Sequence, residues 1–168
     1  MKLNDIFPDV LRLEVSALCN FNCKHCANGQ KHPKGRGLMT DLVFEELTQQ
    51  FELKSYVPRV AVLYHGGEPL LNNKLPKYIR WFVNRGTKKV KIVSNGSLMT
   101  EEKAKSIIDA GITDVDFSFD GVSPEENDRI RTNGNFERDK KNVLEFLKYM
   151  PKEGIKVRIS NVQIGGGW

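Results

Sequence analysis

Residues 89–120 read KVKIVSNGSLMTEEKAKSIIDAGITDVDFSFD, and they contain one complete strand–helix–strand unit. KVKIVS (89–94) reads as a strand. Thr100 supplies a side-chain oxygen to cap the helix EEKAKSIIDAG, because an N-cap hydroxyl satisfies a backbone N–H that the first turn leaves unpaired. Glu101 and Glu102 sit in that first turn, where the helix dipole favours acids, and Gly111 marks the stop. DVDFSFD (114–120) then reads as the next strand. Two strands joined through a helix lie parallel, with a right-handed crossover.

The same order extends to both sides of this unit. VLRLEV (10–15) is apolar at every second residue and strand-like. Thr40 or Asp41 can cap a helix carrying Val43, Phe44, Leu47 and Phe51 at helical spacing. RVAVLY (59–64) is a β-rich apolar run, and LPKYIRWFVNRG follows as a helix ending at Gly86. Downstream, a helix within FERDKKNVLEFLKYM ends before Pro151, and IKVRISNVQI (155–164) is a fifth strand. Alternating strands and helices predict an α/β fold with a mostly parallel sheet. The sequence shows no repeat, long linker or low-complexity segment, and the closing GGGW reads as a stub.

In the fourth strand Val115, Phe117 and Phe119 share one face while Asp116, Ser118 and Asp120 share the other. A strand buried on both faces would be continuously apolar, so the polar face is expected to line a ligand cavity. In the fifth strand Ile155, Val157 and Ile159 oppose Lys156, Arg158 and Ser160. Either a cavity wall or a water-facing edge strand explains that pattern.

At 168 residues the chain suits one domain with a real core. Its 39% hydrophobic and 28% charged content is that of an ordinary globular protein. No apolar run approaches the roughly 18 residues of a membrane span, and MKLNDIFPDVLRLEV has no signal-like apolar core. The net charge of +5 comes from lysines and arginines scattered among acids. They read as solvated surface, and a nucleic-acid footprint would be more concentrated.

All three cysteines, Cys19, Cys23 and Cys26, fall within CNFNCKHC (19–26). Three thiols cannot all pair, and neighbours this close would close only tiny loops. A shared inorganic partner, in a reducing cytoplasmic setting, is the better expectation. Thiolates suit zinc, copper(I) or iron–sulfur clusters. Structural zinc wants four protein ligands, and only His25 and His32 lie near enough to complete a set. A cubane [4Fe–4S] cluster held by three cysteines leaves one iron open for a small ligand.

The other unusual residues also follow strands, at the carboxyl ends where ligands gather in α/β folds. HGGEPLL (65–71) follows the second strand, SNG (94–96) the third, and Ser118 with Asp120–Gly121 closes the fourth. Together with the cysteine loop they predict one composite site at a single rim.

CNFNCKHC resembles the cluster loop of the radical S-adenosylmethionine (radical SAM) enzymes. GGEP (66–69) resembles the motif with which that family receives the methionine end of its cofactor. GGEPLL, SFDG and DRIRTNGNF are most similar to the branch whose members often carry a SPASM or related auxiliary-cluster domain, many of which modify peptides or proteins. The resemblance implies a partial (β/α)₆ barrel, of which five strands are readable. It treats residues 1–168 as a core domain, incomplete at its C-terminal end and without cysteines for an auxiliary cluster.

It further implies that Cys19, Cys23 and Cys26 bind three irons of a [4Fe–4S] cluster and that S-adenosyl-L-methionine chelates the fourth. Gly66, Gly67 and Glu68, with Pro69 shaping the turn, would meet the cofactor's amino group. Ser94 and Asn95 hold the cofactor-facing third-strand position. Ser118 matches a polar residue near the ribose or carboxylate, and Arg131 one that pairs with the carboxylate. His25 stands where an aromatic packs near the adenine. The implied partners are an external electron donor of flavodoxin or ferredoxin type, a peptide or small-molecule substrate, and a chain that completes the barrel. From the residues themselves, Phe21 is expected to pack around the cluster, and His32 and His65 to be polar loop residues.

Overall fold

The computed structural model describes residues 7–30 and 36–162. Five parallel strands form one sheet in the order β1-β2-β3-β4-β5. They are β1 (Val10–Arg12), β2 (Val60–Val62), β3 (Lys89–Ser94), β4 (Asp114–Ser118) and β5 (Lys156–Ser160). A short α1 (Ala27–Gln30) and α2 (Asp41–Leu53) lie between β1 and β2, and α3 (Leu75–Asn84) lies between β2 and β3. Helix α4 (Glu101–Asp109) precedes β4, while α5 (Pro124–Ile130) and α6 (Phe136–Tyr149) precede β5. Sequential neighbours joined by crossovers of one hand carry their helices on one side and leave the other face as the interior of an arc. The α/β partial barrel expected from the sequence is therefore the observed architecture.

Capping sets where the helices begin. The hydroxyls of Thr40 and Thr100 accept from Val43 N and Lys103 N, and Asn135 Oδ1 accepts from Arg138 N at 2.8 Å. Gly111 ends the fourth helix in the left-handed region, with φ near +90°. The apolar face of the sheet supplies Ala61, Leu63, Val90, Ile92, Val115 and Phe117 to the core. Opposite them, the aromatic rings of Phe44 and Tyr78 stand 4.3 Å apart and lock α2 to α3.

Three details differ from expectation. The first, second, fourth and fifth strands are shorter than their apolar runs; beyond β1 the chain pairs with loops instead. Glu14 takes the N–H of Gly66 at 2.8 Å, and Val15 O takes the N–H of Met39 at 3.0 Å. Residues 163 and 164 of the expected fifth strand lie outside the described residues. No helix is expected at α5 from the sequence, although Ser-Pro-Glu-Glu (123–126) forms a variant of the capping box: Glu126 N donates to Ser123 Oγ, and Glu126 Oε2 accepts from Val122 N, one residue before the cap.

The third difference is the polar face of β4. Only its upper end, Ser118 with Asp120 beyond it, reaches the cavity described below. The register sets Asp114 and Asp116 beside Lys156 and Arg158 of β5. Arg158 pairs with both acids at 3.0 and 3.1 Å, and Lys91 Nζ lies 2.5 Å from Asp116. These charges form an ion-paired layer beneath the cavity. Both readings of β5 hold in part: it is the sheet edge with Ile159 exposed, yet Ser160 lines the cavity.

Candidate functional site

The cysteine loop leaves the sheet after β1 and is tied down at its base and flanks. Ser16 bridges Leu38 in antiparallel fashion, and Ala17 N donates to Gly37 O at 2.9 Å. Buried Asn72 seals this neck by donating to Val15 O and Met39 O at 2.8 and 3.0 Å. Asn22 N and Lys24 N donate to Thr132 O and Ile130 O, both at 2.9 Å, fastening the loop to the end of α5. Asn20 Nδ2 donates to Ser97 Oγ at 2.8 Å and its Oδ1 accepts from Asn95 Nδ2 at 3.0 Å. The segment after β2 closes the other side, where Glu68 N donates to Leu18 O at 2.7 Å. A Cβ on Gly67 would stand 2.1 Å from Ser16 O and 2.5 Å from Leu18 O. Only glycine permits that approach.

A cavity of about 200 Å³ opens between these pieces. Cys19, Cys23 and Cys26 line it together with Gly66, Gly67, Glu68, Ser94, Asn95, Ser118 and Arg131. The three cysteines are unbridged. Among the described residues no three His, Cys, Asp or Glu side chains form a site for a single metal ion. His32, one of the two histidines near the cysteines in sequence, lies outside the described residues.

Burial pushes the Cys23 thiol up to about 11 and raises Cys19 as well, although the Phe21 N–H works against the latter. Such thiols are protonated and poorly nucleophilic at neutral pH, and they release protons on binding metal. The carboxyl of Glu68 is buried, which raises its pKa. It accepts from Leu70 N at 3.0 Å, Ser94 Oγ at 2.9 Å and Asn95 N at 2.8 Å, and these bonds favour the charged form. Arg131 Nη1 donates to Asp120 Oδ2 at 2.7 Å, both side chains being buried.

The model of the radical SAM superfamily matches residues 13–167. The chain belongs to the radical SAM superfamily. A probable GTP 3′,8-cyclase of Methanococcus aeolicus is 34% identical over 136 residues, covering 79% of this chain and 44% of the relative. An AdoMet-dependent heme synthase of Oleidesulfovibrio alaskensis is 31% identical over 149 residues, covering 88% of this chain and 36% of its own. SuiB of Streptococcus suis superposes with a TM-score of 0.70 at 18% identity, over 91% of this chain and 33% of that one. SuiB has been solved bound to S-adenosylmethionine and, separately, to the precursor peptide SuiA. The chain thus spans less than half the length of these relatives.

Radical SAM proteins use a [4Fe–4S] cluster and S-adenosylmethionine, and the donor set fits such groups. Three unbridged thiols and one buried carboxylate face a shared cavity at the carboxyl ends of parallel strands. Of the residues singled out for these cofactors, only Pro69 stands outside the cavity lining; it is buried as the first residue of the 3₁₀ turn Pro69–Leu71. Asn95 lines the cavity, but its amide is engaged with Asn20 and Ser97. His65 is exposed at the mouth, and His25 Nε2 lies 3.7 Å from Asp120 Oδ2. Phe21 is 1% exposed and lies under Arg131, whose guanidinium carbon stands 5.8 Å from the ring centroid.

Sequence reading did not find the Asn20–Asn95–Ser97 network, or Asn72 at the neck. These are loop asparagines and a serine that pair over 75 and 77 residues, and over 57 for Asn72, so no local pattern marks them. A larger groove of about 370 Å³ between the 3₁₀ turn and α4 holds none of the residues expected to carry chemistry.

Proposed function

We propose that the chain is the core domain of a radical SAM enzyme and that further polypeptide, in the same or a partner chain, completes its barrel. The supporting observation is the convergence of Cys19, Cys23, Cys26 and buried Glu68 on one cavity. Cys19, Cys23 and Cys26 would each give up a proton and ligate one iron of the [4Fe–4S] cluster. Gly66 and Gly67 let backbone approach the cofactor, while Glu68, oriented by Ser94 Oγ and Asn95 N, faces its ammonium group. Pro69 holds the turn. Arg131 would pair with the carboxylate, Ser118 would stand near the ribose or carboxylate, and His25 would lie beside the adenine.

When bound, the two groups supply one-electron cleavage of a carbon–sulfur bond, giving methionine and a 5′-deoxyadenosyl radical that removes hydrogen from a substrate. The electron comes from an external donor of flavodoxin or ferredoxin type in a reducing cytoplasm. The protein's part is to bind, orient and exclude water around these groups. A peptide substrate is the class that the SuiB–SuiA complex supports.

Anaerobic reconstitution with iron and sulfide, followed by dithionite and S-adenosylmethionine, should release 5′-deoxyadenosine. A Cys19→Ala, Cys23→Ala, Cys26→Ala variant should release none. Fully loaded protein that forms no 5′-deoxyadenosine, alone or with a barrel-completing partner, would leave only a non-catalytic cluster-binding role.

A further inference from the structure

Asp120 has no cofactor contact in this reading of the site, yet it is built tightly into the cavity wall. It is buried, and every polar atom of its side chain and its backbone N–H is engaged. Oδ1 accepts from Val162 N at 2.9 Å, Oδ2 accepts from Arg131 Nη1 at 2.7 Å, and its own N donates to Asn127 Oδ1 at 3.0 Å. Two of these links run through backbone, so the carboxylate is a fixed point. Arg131 is different: it leaves α5 at the C-cap on a long side chain, lies over Phe21, and is 7% exposed. Its Nε is buried with no hydrogen-bond partner among the described residues.

A buried donor without a partner is costly, and it persists where a ligand completes it. A guanidinium is a planar fork that binds a carboxylate best through two parallel N–H bonds along one edge. With Nη1 held by Asp120, the edge that carries Nε is the one left for such a pairing. We propose that Asp120 is a positioning residue, holding Arg131 so that its Nε edge is presented to the carboxylate of S-adenosylmethionine. This rests on the cofactor reading of the site given above. Asp120 also neutralises Arg131 before any ligand arrives, which a buried cation at that place requires.

The test uses cluster-loaded protein under anaerobic conditions without reductant, probed with S-adenosylmethionine and with its decarboxylated analogue. Wild type should prefer S-adenosylmethionine by at least about tenfold, the scale of a charge-assisted pair. Asp120→Asn keeps an acceptor for Val162 N but removes the charge. It should bring the preference down about tenfold, with affinity for the analogue and iron content unchanged; the melting temperature falls, because Arg131 loses its buried counter-charge. Arg131→Lys should give the same loss, and the double variant no more than either. An undiminished or increased preference in Asp120→Asn overturns the proposal, since Asp120 would then be structural or a competitor for Arg131. If Asp120→Asn does not load, Asp120→Glu decides: the longer side chain shifts the fork and should lower the preference, and an unchanged preference overturns the idea. Wild type that binds both probes equally would refute the carboxylate reading of Arg131, and the role of Asp120 with it. A loss confined to the variants would not be seen in that case.

Discussion

The burial of Cys23 has a measurable consequence. Its pKa in the fold, about 11, lies above the ordinary 9.0, so the folded state binds more protons than the unfolded state between those values. The stability this contributes to the metal-free protein is present below pH 9 and is lost as pH rises through 11. At pH 8 the thiolate fraction is about a hundredfold smaller than in the unfolded chain. Alkylation by iodoacetamide at pH 8, followed peptide by peptide, should therefore be about a hundredfold slower at Cys23 in folded than in denatured metal-free protein. Equal rates would contradict the burial. Gly67 offers a second check. Gly67→Ala places a methyl against the Ser16 and Leu18 carbonyls, backbone atoms with little room to move, and should cost about 3 kcal/mol or more. Gly37→Ala, with nothing within 4 Å, should change stability by less than about 0.5 kcal/mol. Paired thermal melts separate the two. Both residues that matter here were visible in the sequence, Cys23 by clustering and Gly67 by its doublet. The reason Gly67 is needed was not visible, because its neighbours come from a loop about fifty residues away.

At the scale of elements, the helices were legible wherever an oxygen-bearing cap stood before an apolar face, as at Thr40 and Thr100. Strand lengths were less so, because an apolar run does not say where the ladder stops and loop pairing begins. The cysteine loop is held by backbone bonds to Glu68 and to Ile130 and Thr132, and by Asn20, whose side chain is the link to the end of β3. Asn20→Ala removes both of its hydrogen bonds there, which should cost about 1–2 kcal/mol. Faster hydrogen exchange over residues 17–24 should accompany it, along with lower iron retention after reconstitution. Unchanged exchange in that loop would mean that the backbone bonds to Thr132 and Ile130 suffice. Ser123→Ala, which unmakes the capping box of α5, should cost about 1 kcal/mol. Because α5 carries Arg131, that loss should also weaken cofactor binding.

Among the described residues the sheet ends in two edge strands, β1 and β5. β5 is the last strand of the sheet, and beside it Phe119, Phe136, Leu144, Leu147 and Ile159 line an apolar hollow of about 360 Å³. Leu144 and Ile159 are more than half exposed. Exposed apolar surface next to an open edge promotes association. Leu144→Lys with Ile159→Lys should therefore reduce self-association of this 168-residue chain in light scattering, with a melting temperature within about 3 °C of wild type. Unaltered scattering would mean that this face does not drive association. The sequence by itself determined the alternating α/β order, the thiol cluster and the loops that carry unusual chemistry, because each is set by spacing along the chain. Only the tertiary structure decided that Asp114 and Asp116 are consumed in ion pairs while Ser118 reaches the cavity. It alone paired Asp120 with Arg131 and bound Asn20 to Asn95. Those outcomes depend on strand register and loop approach, which bring together residues that nothing in the local sequence connects.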